Sequence, residues 1–135
     1  MDATMVLLRA IPALPIADID QAVAFYAARL GFEARHREAS FAIVNRDEVE
    51  IHLWLANGAP GSGAEPHLAG SASCRIRVTG LGALSEEYRG QGVIHPNGEL
   101  RAQWWGDSDF TISDQDHNAI AFSEPAAPAV PAVPL

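Results

Sequence analysis

A short pattern occurs twice in this chain, and the two copies keep the same register. Leu14-Pro15-Ile16-Ala17-Asp18-Ile19 leads into a helix-like stretch through Tyr26 and then Leu30-Gly31-Phe32. Ile76-Arg77-Val78-Thr79-Gly80-Leu81 leads into a second such stretch through Tyr88 and then Gln91-Gly92-Val93. Leu14 and Ile76, Ile16 and Val78, Ile19 and Leu81, and Tyr26 and Tyr88 are each 62 residues apart. A repeated unit of that size implies two similar modules that share a sheet or a cleft.

The local signals define each module. Met5 to Ile11 is an apolar run broken only by Arg9, and reads as a buried or paired strand. Pro12 and Pro15 each lack a backbone donor, so pairing breaks or sits at a sheet edge there. Asp18 is an N-cap, with Gln21 three residues on. Ile19, Val23, Tyr26 and Leu30 then fall on one helical stripe, and Gly31 ends the helix. Residues 32–38, 41–45 and 49–55 read as strands, the last two joined by the turn Arg46-Asp47-Glu48. Residues 57–70 form a Gly/Ala/Ser/Pro-rich connector. Residues 71–78 read as a strand and 81–91 as a helix carrying Leu81, Leu84 and Tyr88. Strands follow over 103–113 and 118–123, with turns at Pro96-Asn97-Gly98 and at Asp114 to Asn118. The tail from 125 to 135 repeats Ala, Pro and Val, and reads as an extended appendage. The expected fold is α+β. Two βαβββ modules, about 5–56 and 71–124, form a curved mixed sheet with a concave cleft in a single domain over 1–124.

Charge and composition narrow the function. With 48% hydrophobic and 19% charged residues, the chain suits a globular core. A formal net charge of −8 argues against nucleic acid and against anionic membrane surfaces. Cys74 stands alone, so no internal disulfide forms, and its strand-like neighbours mark a half-buried thiol. No signal-peptide pattern or membrane-length apolar run occurs, so the expected location is cytoplasmic.

The expected cleft lining comes from strand alternation. In residues 49–55, Val49, Ile51, Leu53 and Leu55 face the helix, while Glu50, His52 and Trp54 face the concavity. Gln103-Trp104-Trp105-Gly106-Asp107 is a second cluster. As strand neighbours, the two indoles point to opposite faces, one into the core and one presented. Asp107, Asp109 and Thr111 share the face of Trp105, with Phe110 and Ile112 in the core. An aromatic and acidic wall suits a flat or cationic ligand, at roughly 0.5–2 kcal/mol per contact.

The stretch Ile11 to Asp18, Ala24-Phe25-Tyr26, Leu30-Gly31-Phe32, Asn45-Arg46-Asp47, Trp105-Gly106 and the turn Asp114 to Asn118 resemble the vicinal-oxygen-chelate superfamily. That superfamily contains glyoxalase I, extradiol dioxygenases, and fosfomycin- and bleomycin-resistance proteins. The resemblance covers about residues 10–123 and looks most like the bleomycin-resistance branch. Carried over position by position, the metal-ligand places of the enzymes fall on Ile11, His52, Ser73 and Ala121. Only His52 binds a metal readily, and one imidazole does not hold a divalent ion. No His-x-His or His-x₃-His pair rebuilds a site. His36 lies on a strand, and His67, His95 and His117 lie in loops or turns.

The resemblance implies a binding protein with no catalytic residue and no cofactor. It is expected to sequester a bleomycin-like glycopeptide antibiotic, or a similar cationic or aromatic ligand, in clefts of a homodimer. The implied ligand-binding residues are Phe41, Glu50, His52, Trp54, Trp105, Asp107 and Asp109. Pro12 matches a hinge across which the first strand passes to the partner subunit, and the apolar Met5 to Leu8 segment suits that exchange. The alternatives are a metal-dependent glyoxalase- or dioxygenase-type enzyme, and a family member that binds another small ligand. Two departures stand out: the Pro-rich tail, and one more indole at Trp104-Trp105 than the pattern requires.

Overall fold

The two copies of the pattern build two four-stranded sheets of the same design. The computed structural model describes residues 4–57 and 68–126. Most of the connector, nearly all of the tail, and His67 lie outside the described residues. Module one is β1 (Ala13–Ile16), α1 (Ile19–Phe25), β2 (Glu33–Glu38), β3 (Phe41–Arg46) and β4 (Val49–Leu55). Module two is β5 (Ser73–Arg77), α2 (Leu81–Gln91), β6 (Arg101–Ala102), β7 (Asp107–Ser113) and β8 (Ala119–Pro125). The strand orders are β1-β4-β3-β2 and β5-β8-β7-β6. In each sheet the first strand runs parallel to the last, and the other pairings are antiparallel. This is the α+β architecture of paired βαβββ modules that the repeat predicts.

Both helices start and stop where the sequence directs. The Asp18 carboxylate accepts the Gln21 N–H at 2.8 Å, and Gly31 ends the helical run at φ 77°. Ile19, Val23, Tyr26 and Leu30 are all buried. α2 has Gly80 at its N-cap, and its first N–H groups are satisfied from elsewhere: Glu124 accepts from Gly80 and Leu81 at 3.1 and 3.2 Å.

The glycines that end the two helices, Gly31 and Gly92, are 61 residues apart rather than 62. The extra residue of module one is absorbed by a π-helical turn over Tyr26–Leu30, which continues α1. This wider turn keeps both Tyr26 and Leu30 fully buried and still delivers Gly31 to the helix end.

The modules meet through polar bridges around their matched tyrosines. Tyr26 donates to Asp114 at 2.7 Å, and Tyr88 donates to the Leu30 carbonyl at 2.7 Å. Asn118 donates to the Pro15 carbonyl at 2.9 Å, and Ala17 N–H donates to Asp116 at 2.9 Å. The Asp114–Asn118 turn therefore fills one side of the seam. The shorter β3–β4 turn on the other side sends Arg46 to Glu87 at 2.7 and 2.9 Å. It leaves an open groove of about 810 Å³ lined by residues including Val49, Ile76, Val78, Leu84 and Tyr88.

Two segments differ from expectation. Residues 5–11 form no strand within the chain, and Met5, Val6, Leu7 and Leu8 are 95%, 66%, 101% and 89% exposed. The reason is register. β1 pairs in parallel with β4 with Ala13 opposite His52, which brings Ala10 level with Val49, the first residue of β4. Earlier residues have no strand beside them. Residues 103–106 are likewise not strand. They form the β6–β7 hairpin turn, with Gln103 N–H donating to Asp107 O at 2.7 Å and Gly106 at φ 99°. Alternation does not apply in such a turn, so neither indole enters the core. Trp104 is 91% exposed and Trp105 49%.

Candidate functional site

The helix-distant face of each sheet carries the chemistry, because the helices bury the other face. On β4, Ile51 and Leu53 are fully buried, and Val49 and Leu55 pack against the core. Glu50, His52 and Trp54 therefore project away from α1. Cross-strand pairing sets Phe41 opposite Trp54, Ile43 opposite His52 and Asn45 opposite Glu50. The Phe41 ring centroid lies 4.3 Å from that of Trp54 and 5.1 Å from His52, the latter edge-on at 89°. His36 joins the row, 5.9 Å from Phe41. Four rings thus form one continuous platform on module one.

Glu50 anchors the end of this platform. Its Oε2 lies 2.7 Å from His52 Nε2, and its Oε1 accepts from Arg35 at 3.0 Å, with Arg9 at 3.7 Å. The hydrogen bonds from His52 and Arg35 hold the Glu50 carboxyl below the usual carboxylate value. A bulge in β2 between Ala34 and His36 accompanies the reach of Arg35 to this face.

Module two presents a different wall. Asp107 and Asp109 project from β7 opposite to Phe110 and Ile112, which are fully buried as expected. Arg75 reaches Asp109 at 2.9 Å, and Arg77 forks onto Asp107 at 3.1 and 3.2 Å. Gln103 also donates to Asp109 at 2.9 Å. Burial raises the Asp109 pKa, but the hydrogen bonds from Gln103 and Arg75 and the charges of Arg75 and Arg101 outweigh it. The group is held below the usual carboxylate range. Trp105 lies on the hairpin turn that leads into β7, its ring 5.5 Å from Trp104 and at 90° to it.

The seven residues singled out in the sequence therefore form two groups. Phe41, Glu50, His52 and Trp54 touch one another on module one. Trp105, Asp107 and Asp109 lie at one end of the module-two sheet. Among the described residues, the ring contacts and ion pairs of each group stay within its own module. Arg35, Arg75 and Arg77 were missed by sequence reasoning, because an arginine on a strand carries no signal of which carboxylate it will meet. The groove between the modules is a separate feature. Its main charged contact is internal, Arg46 with Glu87, so the exposed sheet faces are the better candidate.

The donor set does not fit a resident divalent metal. Ile11, Ser73 and Ala121 offer no strong ligand, and the His52 Nε2 is engaged by Glu50. Among the described residues, no three His, Cys, Asp or Glu side chains converge. His95 Nδ1 accepts the Asn97 N–H at 3.0 Å, and His117 sits at φ 74° in the β7–β8 turn.

Paired βαβββ modules with ligand-facing sheet surfaces are the architecture of a large superfamily, and the chain belongs to it. The family model for the Glyoxalase/Bleomycin resistance protein/Dioxygenase superfamily matches residues 9–122. A bleomycin resistance protein of Geobacillus stearothermophilus is 43% identical over 126 residues, covering 86% of this chain and 96% of the relative. One from Staphylococcus aureus matches to the same extent. Among solved structures, the bleomycin-binding protein of bleomycin-producing Streptomyces verticillus, complexed with copper(II)-bleomycin, superposes with a TM-score of 0.72. It is 25% identical and covers 92% of this chain and 99% of that one. A bleomycin resistance determinant encoded on the transposon Tn5 gives 0.70 at 25% identity, covering 90% of this chain and 100% of that one.

Proposed function

We propose that this protein binds a bleomycin-like glycopeptide antibiotic and sequesters it without modifying it. The observation that carries this reading is the ring platform of Phe41, His52 and Trp54 on a solvent-facing sheet, in a chain 43% identical to bleomycin resistance proteins. Stacked rings hold a planar group by dispersion and quadrupole contacts. Among the described residues the donor set offers no metal site, which favours binding over metal-dependent turnover.

The binding unit in this reading is a homodimer working in the cytoplasm. Each module wall of one chain keeps to itself, so a second copy is needed to close a cleft over it. The exposed Met5 to Leu8 arm supports the same arrangement. Four apolar side chains in water are costly, and a partner surface covers them. Pro12 is the proposed hinge. Its carbonyl accepts the His52 N–H at 2.9 Å, so the arm departs just where the β1–β4 ladder begins.

Titration with bleomycin, followed by calorimetry and tryptophan fluorescence, tests the reading. Saturable binding near one ligand per chain, with the drug recovered unchanged by mass spectrometry, is the expected result. Absence of binding, or a chemically altered drug, overturns it.

A further inference from the structure

The sequence has nine arginines and no lysine, in a chain of net charge −8. Five of them, Arg9, Arg35, Arg75, Arg77 and Arg101, gather at the two walls just described. Arg9 and Arg35 flank Glu50. Arg101 is the cross-strand partner of Asp109 and so lies on its face. The helix-distant face of β5 to β8 thus carries three guanidinium groups against two carboxylates.

Its geometry is that of a built surface. β8 lies between β5 and β7, so Arg75 and Arg77 must cross it to reach Asp109 and Asp107. The residues they cross are small: Ala121 is the register partner of Arg75, and Ser123 of Arg77. Both are nearly inaccessible, at 8% and 4%. The carboxylates act as anchors, since Asp109 and Asp107 side chains are 10% and 19% exposed while those of Arg75 and Arg77 remain 54% and 56% exposed. Arg75 gives Asp109 a single N–H, and Arg77 gives Asp107 one fork, leaving most of each guanidinium's donors facing out. Two residues apart on one strand, Arg75 and Arg77 have Cα atoms about 6–7 Å apart along β5.

We infer that the module-two wall binds an oxyanion of an aromatic ligand, with Arg75 and Arg77 as its donors and Trp105 as the adjacent ring surface. A guanidinium already oriented by a carboxylate loses little freedom when it takes a carboxylate, sulfonate or phosphate oxygen. The inference rests on the reading of these faces as a small-molecule cleft, but not on the drug being its ligand.

A matched pair of probes tests it: naphthalene-2-sulfonate and naphthylmethylammonium, which share a ring system and differ in charge. Calorimetry on the full chain is expected to show the sulfonate binding at least about tenfold tighter. That advantage is expected to vanish in Arg77→Gln and in the paired neutral variant R75Q/D109N, which avoids leaving Asp109 buried without its cation. Circular dichroism melts establish that both variants are folded, and Arg77→Gln leaves only the more exposed Asp107 unpaired. Equal or tighter binding of the ammonium, binding of neither probe, or a sulfonate preference that survives in both variants overturns the inference. A parallel bleomycin titration separates the two readings. Drug binding without a sulfonate preference sinks this inference alone. A sulfonate preference without drug binding sinks the sequestration reading and leaves this one standing.

Discussion

The Tyr26 hydroxyl donates to the Asp114 carboxylate at 2.7 Å across 88 residues of sequence, and both side chains are buried. This bond ties the helix of module one to the hairpin turn of module two. Asp114 also accepts from Asp116 N–H, Asn118 N–H and Asn118 Nδ2, each at 2.9 Å, so it organises the turn as well as the seam. Burial, with Asp114 alongside, pushes the Tyr26 phenol well above its usual value, so it acts as a donor throughout the working pH range.

Tyr26→Phe is expected to cost about 1.5–3 kcal/mol, the worth of one buried hydrogen bond to a carboxylate. Asp114→Ala is expected to cost about 3 kcal/mol or more, because it strands several buried donors at once. Urea denaturation of both variants measures the difference. If Asp114→Ala costs no more than Tyr26→Phe, the turn does not depend on the carboxylate.

Gly70 sits at φ 84°, and a Cβ there would lie 1.9 Å from the Asp116 carbonyl oxygen. Both the backbone angle and the contact with a fixed turn oppose any side chain. Gly70→Ala is expected to lower stability by at least about 2 kcal/mol, whereas Gly82→Ala, with open space around its Cβ, should be tolerated. Parallel thermal melts provide the comparison.

Trp105 is half exposed and packs on Trp104 rather than in the core. Trp105→Ala is expected to weaken bleomycin binding by about 1–3 kcal/mol, with the melting temperature little changed. A large fall in melting temperature with unaltered affinity would assign the indole a structural role instead.

Truncation after Leu8 removes the exposed apolar arm and leaves Pro12 in place. Light scattering is expected to show a dimer for the full chain and a monomer, or a much weaker dimer, for the truncated one. A full-length chain that runs as a monomer at micromolar concentration removes the basis for the shared cleft.

Acid stability follows from the paired carboxylates. Glu87 is held below its ordinary value of 4.5 by the Arg46 hydrogen bond and charge, against the opposing pull of burial. Glu50 and Asp109 shift the same way. A carboxyl with a lower pKa in the folded state than in the unfolded contributes stability above the unfolded value, and this is lost as pH falls through the folded one. The melting temperature should hold steady above about pH 5 and fall progressively below about pH 4.5. Glu87→Gln should flatten part of that fall, and an unchanged acid limb would exclude the Arg46–Glu87 pair as a contributor.

Much of this molecule is local chemistry written into residue order. Asp18, the apolar stripe ending at Leu30, and Gly31 specify one helix, and the matched tyrosines announce a second copy. Alternation on β4 separates Ile51 and Leu53 from Glu50, His52 and Trp54 without reference to anything distant. The same rule failed at Trp104 and Trp105, because Gly106 and Gln103 close a turn there and a turn has no two-residue period. It also failed for residues 5–11, whose apolar pattern describes a segment needing cover but not where the cover comes from.

The sequence by itself determined the periodic elements, their duplication and the aromatic row, since each depends on neighbours a few residues away. Only the tertiary structure decided that every carboxylate of the candidate site lies against an arginine. Ion pairs between Arg75 and Asp109, or Arg77 and Asp107, depend on strand order and register across some thirty residues, and no local pattern encodes which side chains the folded sheets bring side by side.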